Sequence, residues 1–296
     1  MSYILVIGGS NIDYVAKSSS PLINRDSNIG EVKISNGGVG RNIALNLSLL
    51  NNNVSFITGL GKDILSLSLK KELNSNKIKV LVPKSEYGVG SYVAINDNSG
   101  EMSVAICDSS FCDKLTLDKL LPFKKEIESF ENIVLDANLN EKLIEDIISS
   151  FPKSRYFVDG VSANKVSRFK KVLNKLHLFK SNLIEAQTIT TNTKLEGKEL
   201  VKKLLSLGPK IVIITNSSKS TFFGFDDKVY ETPATKIDVK EIVNVNGAGD
   251  AFFSGFVSSY IKSSDVISSI EFAKKMSYYT LKSSESVNLG IKNILG

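Results

Sequence analysis

Near the C-terminal end the chain reads Asn246-Gly247-Ala248-Gly249-Asp250-Ala251-Phe252, immediately before a strongly apolar stretch with helical spacing. Glycines on either side of an alanine let the backbone pass close to a bound group. A helix that begins there aims its unpaired N–H groups at an anion. Asp250 then lies in the first turn, beside any phosphate that the amides of Gly247, Ala248 and Gly249 hold. That placement suits a general base next to an anion hole. A glycine turn with an acidic cap has the same spacing, so spacing alone leaves both readings open.

Two further motifs could join it. Gly37-Gly38-Val39-Gly40-Arg41-Asn42-Ile43-Ala44 also runs from a glycine-rich turn into a helical pattern, and Asn42 offers both donors and an acceptor. By itself it reads as a loop-to-helix turn. Asn182-Leu183-Ile184-Glu185 sets an amide and a carboxylate at i, i+3. Such a pair holds a hydrated Mg²⁺ or caps a helix.

Other chemistries lack their residues. There is no Gly-x-x-x-x-Gly-Lys-Ser/Thr loop. The first strand ends in Gly8-Gly9-Ser10-Asn11-Ile12-Asp13, without the glycine spacing of a dinucleotide fingerprint, which argues against a nicotinamide dehydrogenase. The single histidine, His177, stands in the apolar run Leu176-His177-Leu178-Phe179 and reads as a packed side chain rather than part of a hydrolase triad. Cys107 and Cys112 have neither zinc-site spacing nor the number for a disulfide framework, and read as reduced thiols.

The elements that must position these motifs alternate along the chain. Ile4–Ile7, Val54–Thr58, Ile133–Asp136, Tyr156–Asp159 and Ile211–Thr215 are short, β-branched and bounded by Gly, Asp or Asn, which predicts buried strands. Between them, Ile43/Leu47/Leu50, Leu65/Leu69/Leu73, Leu143/Ile144/Ile147/Ile148 and Leu200/Val201/Leu204/Leu205 form helical stripes. Strands alternating with helices predict a mostly parallel sheet covered on both faces. Residues 12–36 and 88–107 break the rhythm. The second reads as a hairpin, Ser91–Ile95 and Met102–Ile106 around the turn 96–100, and the two segments together predict a small β appendage.

The 296 residues fit one α/β domain with such an appendage. Hydrophobic residues at 42% and charged residues at 23% are ordinary for a chain with a packed core. No apolar run approaches the roughly 20 residues of a membrane span, and the start lacks a signal-peptide pattern, so a cytoplasmic location is expected. The net charge of +6 comes with interspersed signs and no aromatic-rich basic run. It suits an anionic small molecule better than nucleic acid.

Taken together and in this order, Gly-Gly…Asn, Asn-x-x-Glu and Gly-Ala-Gly-Asp resemble the signature set of the ribokinase-like (PfkB-type) carbohydrate kinases, across essentially the whole chain. Asn244-Val245-Asn246, Gly37–Asn42, Asp97–Met102, Asp136–Leu139, Val158–Lys165 and Ser283–Ser286 are similar to the pseudouridine kinase branch. The resemblance implies a three-layer α/β/α fold with a mostly parallel sheet and a small β-sheet lid. It implies ATP-dependent phosphorylation of a ribose 5′-hydroxyl with Mg²⁺, and Asp250 as base over the Gly247–Gly249 amides. It further implies substrate contacts from Asn11, Asp13, Gly37, Gly38, Asn42 and Lys165. Nucleotide contacts would come from Asn182, Thr215, Ser217, Gly247, Gly249 and Ser283, and water-mediated metal contacts from Glu185 and Asn182. A homodimer through the lid is a further expectation. Related kinases for ribose, adenosine or another sugar are the alternative, as is a non-catalytic sensor on the same fold. Two positions depart from the family. Thr215-Asn216-Ser217 replaces the usual Thr-x-Gly, and Asn244 replaces an aspartate of a monovalent-cation site, which leaves K⁺ activation open.

Overall fold

The structure, a computed structural model, describes residues 2–295. In chain order its strands are β1 (Tyr3–Ile7), β2 (Asn11–Ser18), β3 (Gly30–Gly37), β4 (Asn53–Ile57), β5 (Lys79–Leu81), β6 (Gly90–Asn96), β7 (Met102–Asp108), β8 (Asn132–Asp136), β9 (Arg155–Asp159), β10 (Leu178–Asn182), β11 (Ile211–Asn216), β12 (Ser220–Phe225) and β13 (Lys228–Pro233). Nine of them form one sheet in the order β13-β12-β11-β10-β9-β8-β1-β4-β5. It is parallel from β5 to β11 and ends in the antiparallel pair β12 and β13.

Both faces of this sheet are covered, which is why its inner strands read as unbroken apolar runs. Leu5, Ile7, Ile133, Val158 and Val212 pack toward helices Glu141–Ser150 and Gly197–Leu205. Ile4, Val6, Phe56, Leu178 and Ile213 pack toward helices Val39–Leu49, Ala248–Ser263 and Val266–Leu281. Each fully buried Ile, Leu or Phe contributes about 1.5–3 kcal/mol, and this three-layer core fixes the strand ends on which the motifs sit. His177 belongs to it: its Nε2 lies 3.0 Å from the Tyr260 hydroxyl, and burial lowers its pKa to about 4. Cys107 and Cys112 are free thiols.

The chain leaves β1 toward β4 on one side and returns through β8 on the other. The carboxyl ends of β1 and β8 therefore flank a topological switch point, where open α/β sheets carry their clefts. Over this end stands a second sheet, β3-β2-β6-β7, with β2 and β6 parallel and the outer pairs antiparallel. Its register puts Ile34, Val93 and Ile106 in line with Tyr14, and Val32, Ile95 and Val104 in line with Ala16. These apolar side chains share the face opposite Asp13, and all six named aliphatics are exposed, Ile106 to 71%.

Candidate active site

The Gly-Ala-Gly-Asp motif opens the 16-residue helix Ala248–Ser263. Gly247 caps it in the left-handed region at φ 79°, where a Cβ would fall 1.9 Å from the Ser286 carbonyl oxygen. Glycine is thus required both by conformation and by the close approach. Asp250, in the first turn, is partly exposed at the cleft. Its Oδ2 accepts from the Asn42 Nδ2 at 2.8 Å. Burial and the nearby Asp159 charge raise its pKa to about 7, against the Asn42 hydrogen bond and the Lys180 charge, with Asp136 adding a smaller upward push. A carboxyl group poised near neutrality is suited to exchanging a proton with an alcohol.

Strands β9 and β10 bring a buried ion pair to the same place. Lys180 Nζ donates to Asp159 Oδ2 at 2.8 Å, and both side chains are less than 10% exposed. The ammonium also lies beside the helix mouth, since a Cβ on Gly249 would stand 3.3 Å from it. Burial alone would depress the Lys180 pKa, but Asp159, Glu185 and Asp250 outweigh it and raise it. Removing one partner from such a pair strands a buried charge. Lys180 escaped the sequence reading, although a charged residue inside an apolar run was the available signal. Val161, just after Asp159, takes φ 63°. That is strained for a β-branched residue, and the Asp159 Oδ1 holds it by accepting its N–H at 2.9 Å.

At the end of β10, Asn182 and Glu185 form a reciprocal capping box on helix Leu183–Ile189. Asn182 Oδ1 accepts the Glu185 N–H at 2.9 Å, while the Glu185 carboxylate accepts the Asn182 backbone N–H at 2.9 Å and its Nδ2 at 2.7 Å. Glu185 is 3% exposed. Burial and Asp159 raise its pKa, with Lys180 opposing. No cluster of three or more His, Cys, Asp or Glu side chains forms a closed ion cage among the described residues. A hydrated Mg²⁺ does not require one. A buried carboxylate with lone pairs to spare, repelled by a second carboxylate, fits a cation held through water.

The other end of the cleft is built from β2, β3 and the glycine turn. Asn11 donates to Asp13, and a Cβ on Gly37 would overlap the Asp13 carboxylate. Gly38, at φ 98°, brings the turn against Ser10 and Asn11. Burial raises the Asp13 pKa to about 6, with Arg41 opposing. Lys165 sits on this side too, donating to Asn138 Oδ1 at 2.7 Å. Asp136 ties the floor together by accepting the N–H groups of Gly9 at 3.0 Å and Asn138 at 2.8 Å.

On the far side of the helix mouth, a cavity of about 330 Å³ is lined by Thr215, Ser217, Ala248, Gly249, Phe252 and Tyr278, among others. Ser217 holds φ 49°, so the turn usual for a glycine is kept by a serine. Asn244 donates to the Ser284 carbonyl at 3.1 Å and accepts the Asn246 N–H at 2.9 Å. Both ends of its carboxamide are thus engaged by the backbone. A larger cavity of about 550 Å³ between helix Glu141–Ser150 and the Ser167–Lys175 turn contains none of the motif residues.

The fold therefore gathers Asp250, Gly247, Ala248, Gly249, Asn42, Asn182, Glu185, Thr215 and Ser217 along one cleft, with Asn11, Asp13, Gly37, Gly38 and Lys165 at its other end. Ser283 is not among the residues lining the 330 Å³ cavity; its Oγ accepts the Glu285 N–H at 3.2 Å.

Comparison with known proteins gives the family. The model of the pfkB family carbohydrate kinases matches residues 1–291. A pseudouridine kinase from Escherichia coli is 32% identical, covering 99% of this chain and 95% of its own length. A guanosine-inosine kinase from Exiguobacterium acetylicum is 24% identical, covering 97% and 96%. The ribokinase structure from Thermotoga maritima superposes with a TM-score of 0.88 over 100% of this chain and 99% of that one, at 18% identity, which speaks for the fold. The chain belongs to the pfkB family of carbohydrate kinases and is a phosphotransferase that acts on an alcohol group of a small molecule.

Proposed function

We propose that the protein transfers the terminal phosphoryl group of ATP to the ribose 5′-hydroxyl of pseudouridine, giving pseudouridine 5′-phosphate and ADP. The observation that carries the chemistry is the Asp250 carboxyl, tuned to about pH 7, at a helix mouth beside the Lys180 ammonium. The 32% identity to a pseudouridine kinase supports the choice of nucleoside.

In this reading the 5′-oxygen gives its proton to Asp250 as it bonds to the γ-phosphorus, and the bond to the bridging oxygen of ADP breaks. Phosphoryl transfer has a loose transition state, so orientation and charge stabilisation dominate. The amides from Gly247 to Asp250 and the Lys180 ammonium face the charge on the moving group. Mg²⁺, when bound, supplies a positive charge at the phosphates, and Glu185 with Asn182 would hold its waters. ATP would occupy the cavity beside Thr215, Ser217 and Tyr278. Asp13 and Asn11 would accept and donate hydrogen bonds to the vicinal ribose hydroxyls, with Gly37 and Gly38 giving room and Lys165 nearby. The small sheet acts as a lid that keeps water from the phosphoryl group.

The guanosine-inosine kinase relative favours a second reading, a kinase for another nucleoside or sugar on the same machinery. ATP-dependent phosphorylation of pseudouridine, uridine, inosine, adenosine and ribose, compared by kcat/KM, decides between them. Pseudouridine leading by tenfold or more is expected; another compound leading by that margin overturns the nucleoside assignment and leaves the family intact.

The bare aliphatic face of the lid fits a second copy of this chain, since apolar patches of this kind mark association surfaces. Light scattering is expected to give a dimer mass that Ile106→Lys reduces to a monomer; a monomeric unaltered protein removes the pairing.

A further inference from the structure

Arg41 contacts no substrate in the proposed function, yet its guanidinium is buried and hydrogen-bonded. Its side chain is 7% exposed and ion-paired with Glu72 of helix Ile64–Ser75, which is 25% exposed. Arg41 Nε also donates to Glu72 Oε2 at 3.3 Å. The remaining arm, Nη1, donates to Asn42 Oδ1 at 3.0 Å. Asn42 in turn donates to Asp250 Oδ2 at 2.8 Å. The chain also reaches the lid, because Asn36 of β3 donates to the same Glu72 Oε2 at 3.1 Å.

We propose that Arg41 is a positioning residue for the reaction: held by Glu72, it fixes the Asn42 carboxamide with its NH₂ toward Asp250, and it ties that arrangement to the root of the lid through Asn36. The reason lies in donor chemistry. A carboxamide can be rotated to exchange its oxygen and nitrogen, and one of the two settings would oppose an oxygen to the Asp250 carboxylate. Arginine has donors only, so a guanidinium beside Asn42 accepts only the setting in which the oxygen faces Arg41 and the NH₂ faces the base. Its planar fork lets one residue bond Glu72 with two nitrogens and Asn42 with the third. An ion pair with one end buried and the other half-buried is a poor device for stability compared with apolar packing, so its presence behind the base is better explained by orientation. Every group that faces Asp250 enters the pH behaviour: Asn42 and Lys180 favour the carboxylate, and Asp159 and Asp136 oppose it. Arg41 itself faces Glu72, Asn42 and Asp13.

The inference rests on Asp250 being the base, and the experiment separates the two claims. Arg41→Met, Asn42→Ala and the double variant are assayed from pH 5.5 to 9 in the full-length protein, with thermal melts to establish folding. Arg41→Met is expected to lower kcat at pH 7 about 10- to 100-fold, the scale of a misplaced catalytic group. Its acidic limb in kcat/KM moves to higher pH, activity partly recovers toward pH 9, and KM for ATP changes little. The double variant is no slower than Asn42→Ala alone, because Arg41 acts through Asn42. If Arg41→Met does not fold, Glu72→Gln, altered at the more exposed end, carries the same expectation. Losses that multiply in the double variant, or an acidic limb unmoved by Arg41→Met, overturn the proposal. Should Asp250→Asn turn over normally, the base assignment itself fails instead.

Discussion

The two ends of the cleft are built differently. The end proposed to bind phosphate stands on the carboxyl ends of β9 and β10 and the mouth of a 16-residue helix, all set in the three-layer core. Its charges are paired and buried: Lys180 with Asp159, and Glu185 with Asn182. The end proposed to bind the nucleoside hangs on β2 and β3, whose outer residues are exposed, and on a glycine turn. In the proposed function, chemistry common to many alcohols would rest on the core-embedded end, and discrimination on the more exposed end. Asn42 links the ends, since it follows the glycine turn of one and bonds the base of the other.

Substitutions at each end break different things. Lys180→Met is expected to cost about 10²–10³ in kcat, the scale of losing a preorganised charge donor. It also lowers the melting temperature, because Asp159 is left buried and unpaired. Single-turnover phosphoryl transfer and a thermal melt check both; unchanged transfer removes Lys180 from the phosphate end. Asp13→Ala should raise KM for the nucleoside about 10- to 100-fold, the value of a hydrogen bond to a charged group, while KM for ATP holds. Equal shifts in both constants would erase the distinction between the ends. The smallest effect belongs to the nucleotide turn. Ser217→Val forces a β-branched residue into the left-handed region, at a cost of about 1–2 kcal/mol, and raises KM for ATP. Ser217→Gly keeps both near their original values. Urea melts and ATP titration distinguish the two variants; equal behaviour would mean the turn's conformation is immaterial.

The raised carboxyls also fix the sign of a stability effect. Asp250 and Asp13 bind protons more tightly folded than unfolded. Between about pH 4 and 7 the folded state therefore holds more protons, and their contribution to stability declines as pH rises.

Much of this was legible in the chain. The inner strands announce themselves because burial on both faces demands continuous apolar runs, and the lid hairpin because its turn is rich in Asn, Asp, Ser and Gly. Gly247 through Asp250 could be read because a glycine turn before an apolar helix has a local physical meaning. The convergence could not. Asn42 meets Asp250 across 208 positions, and only the fold places Asp136, Asp159 and Lys180 around one carboxyl. Lys180 carried one local signal, a charge inside the apolar strand β10, but its partners Asp159 and Asp250 come from other elements. Ser217 departs from the expected glycine in type, yet it takes the same left-handed turn, which side-chain identity alone does not reveal.

The account turns on Asp250 taking the proton of the alcohol. The most direct measurement is kcat/KM for pseudouridine from pH 5 to 9, in the unaltered protein and in Asp250→Asn. An acidic limb with a midpoint near pH 7 is expected, above any lower contribution from Asp13 near pH 6. In the variant, which stays folded, turnover falls by about 10²–10⁴, the contribution of a general base, and the limb near pH 7 is absent from the residual rate. An identical limb in Asp250→Asn, or turnover within a few-fold of the unaltered protein, would contradict it.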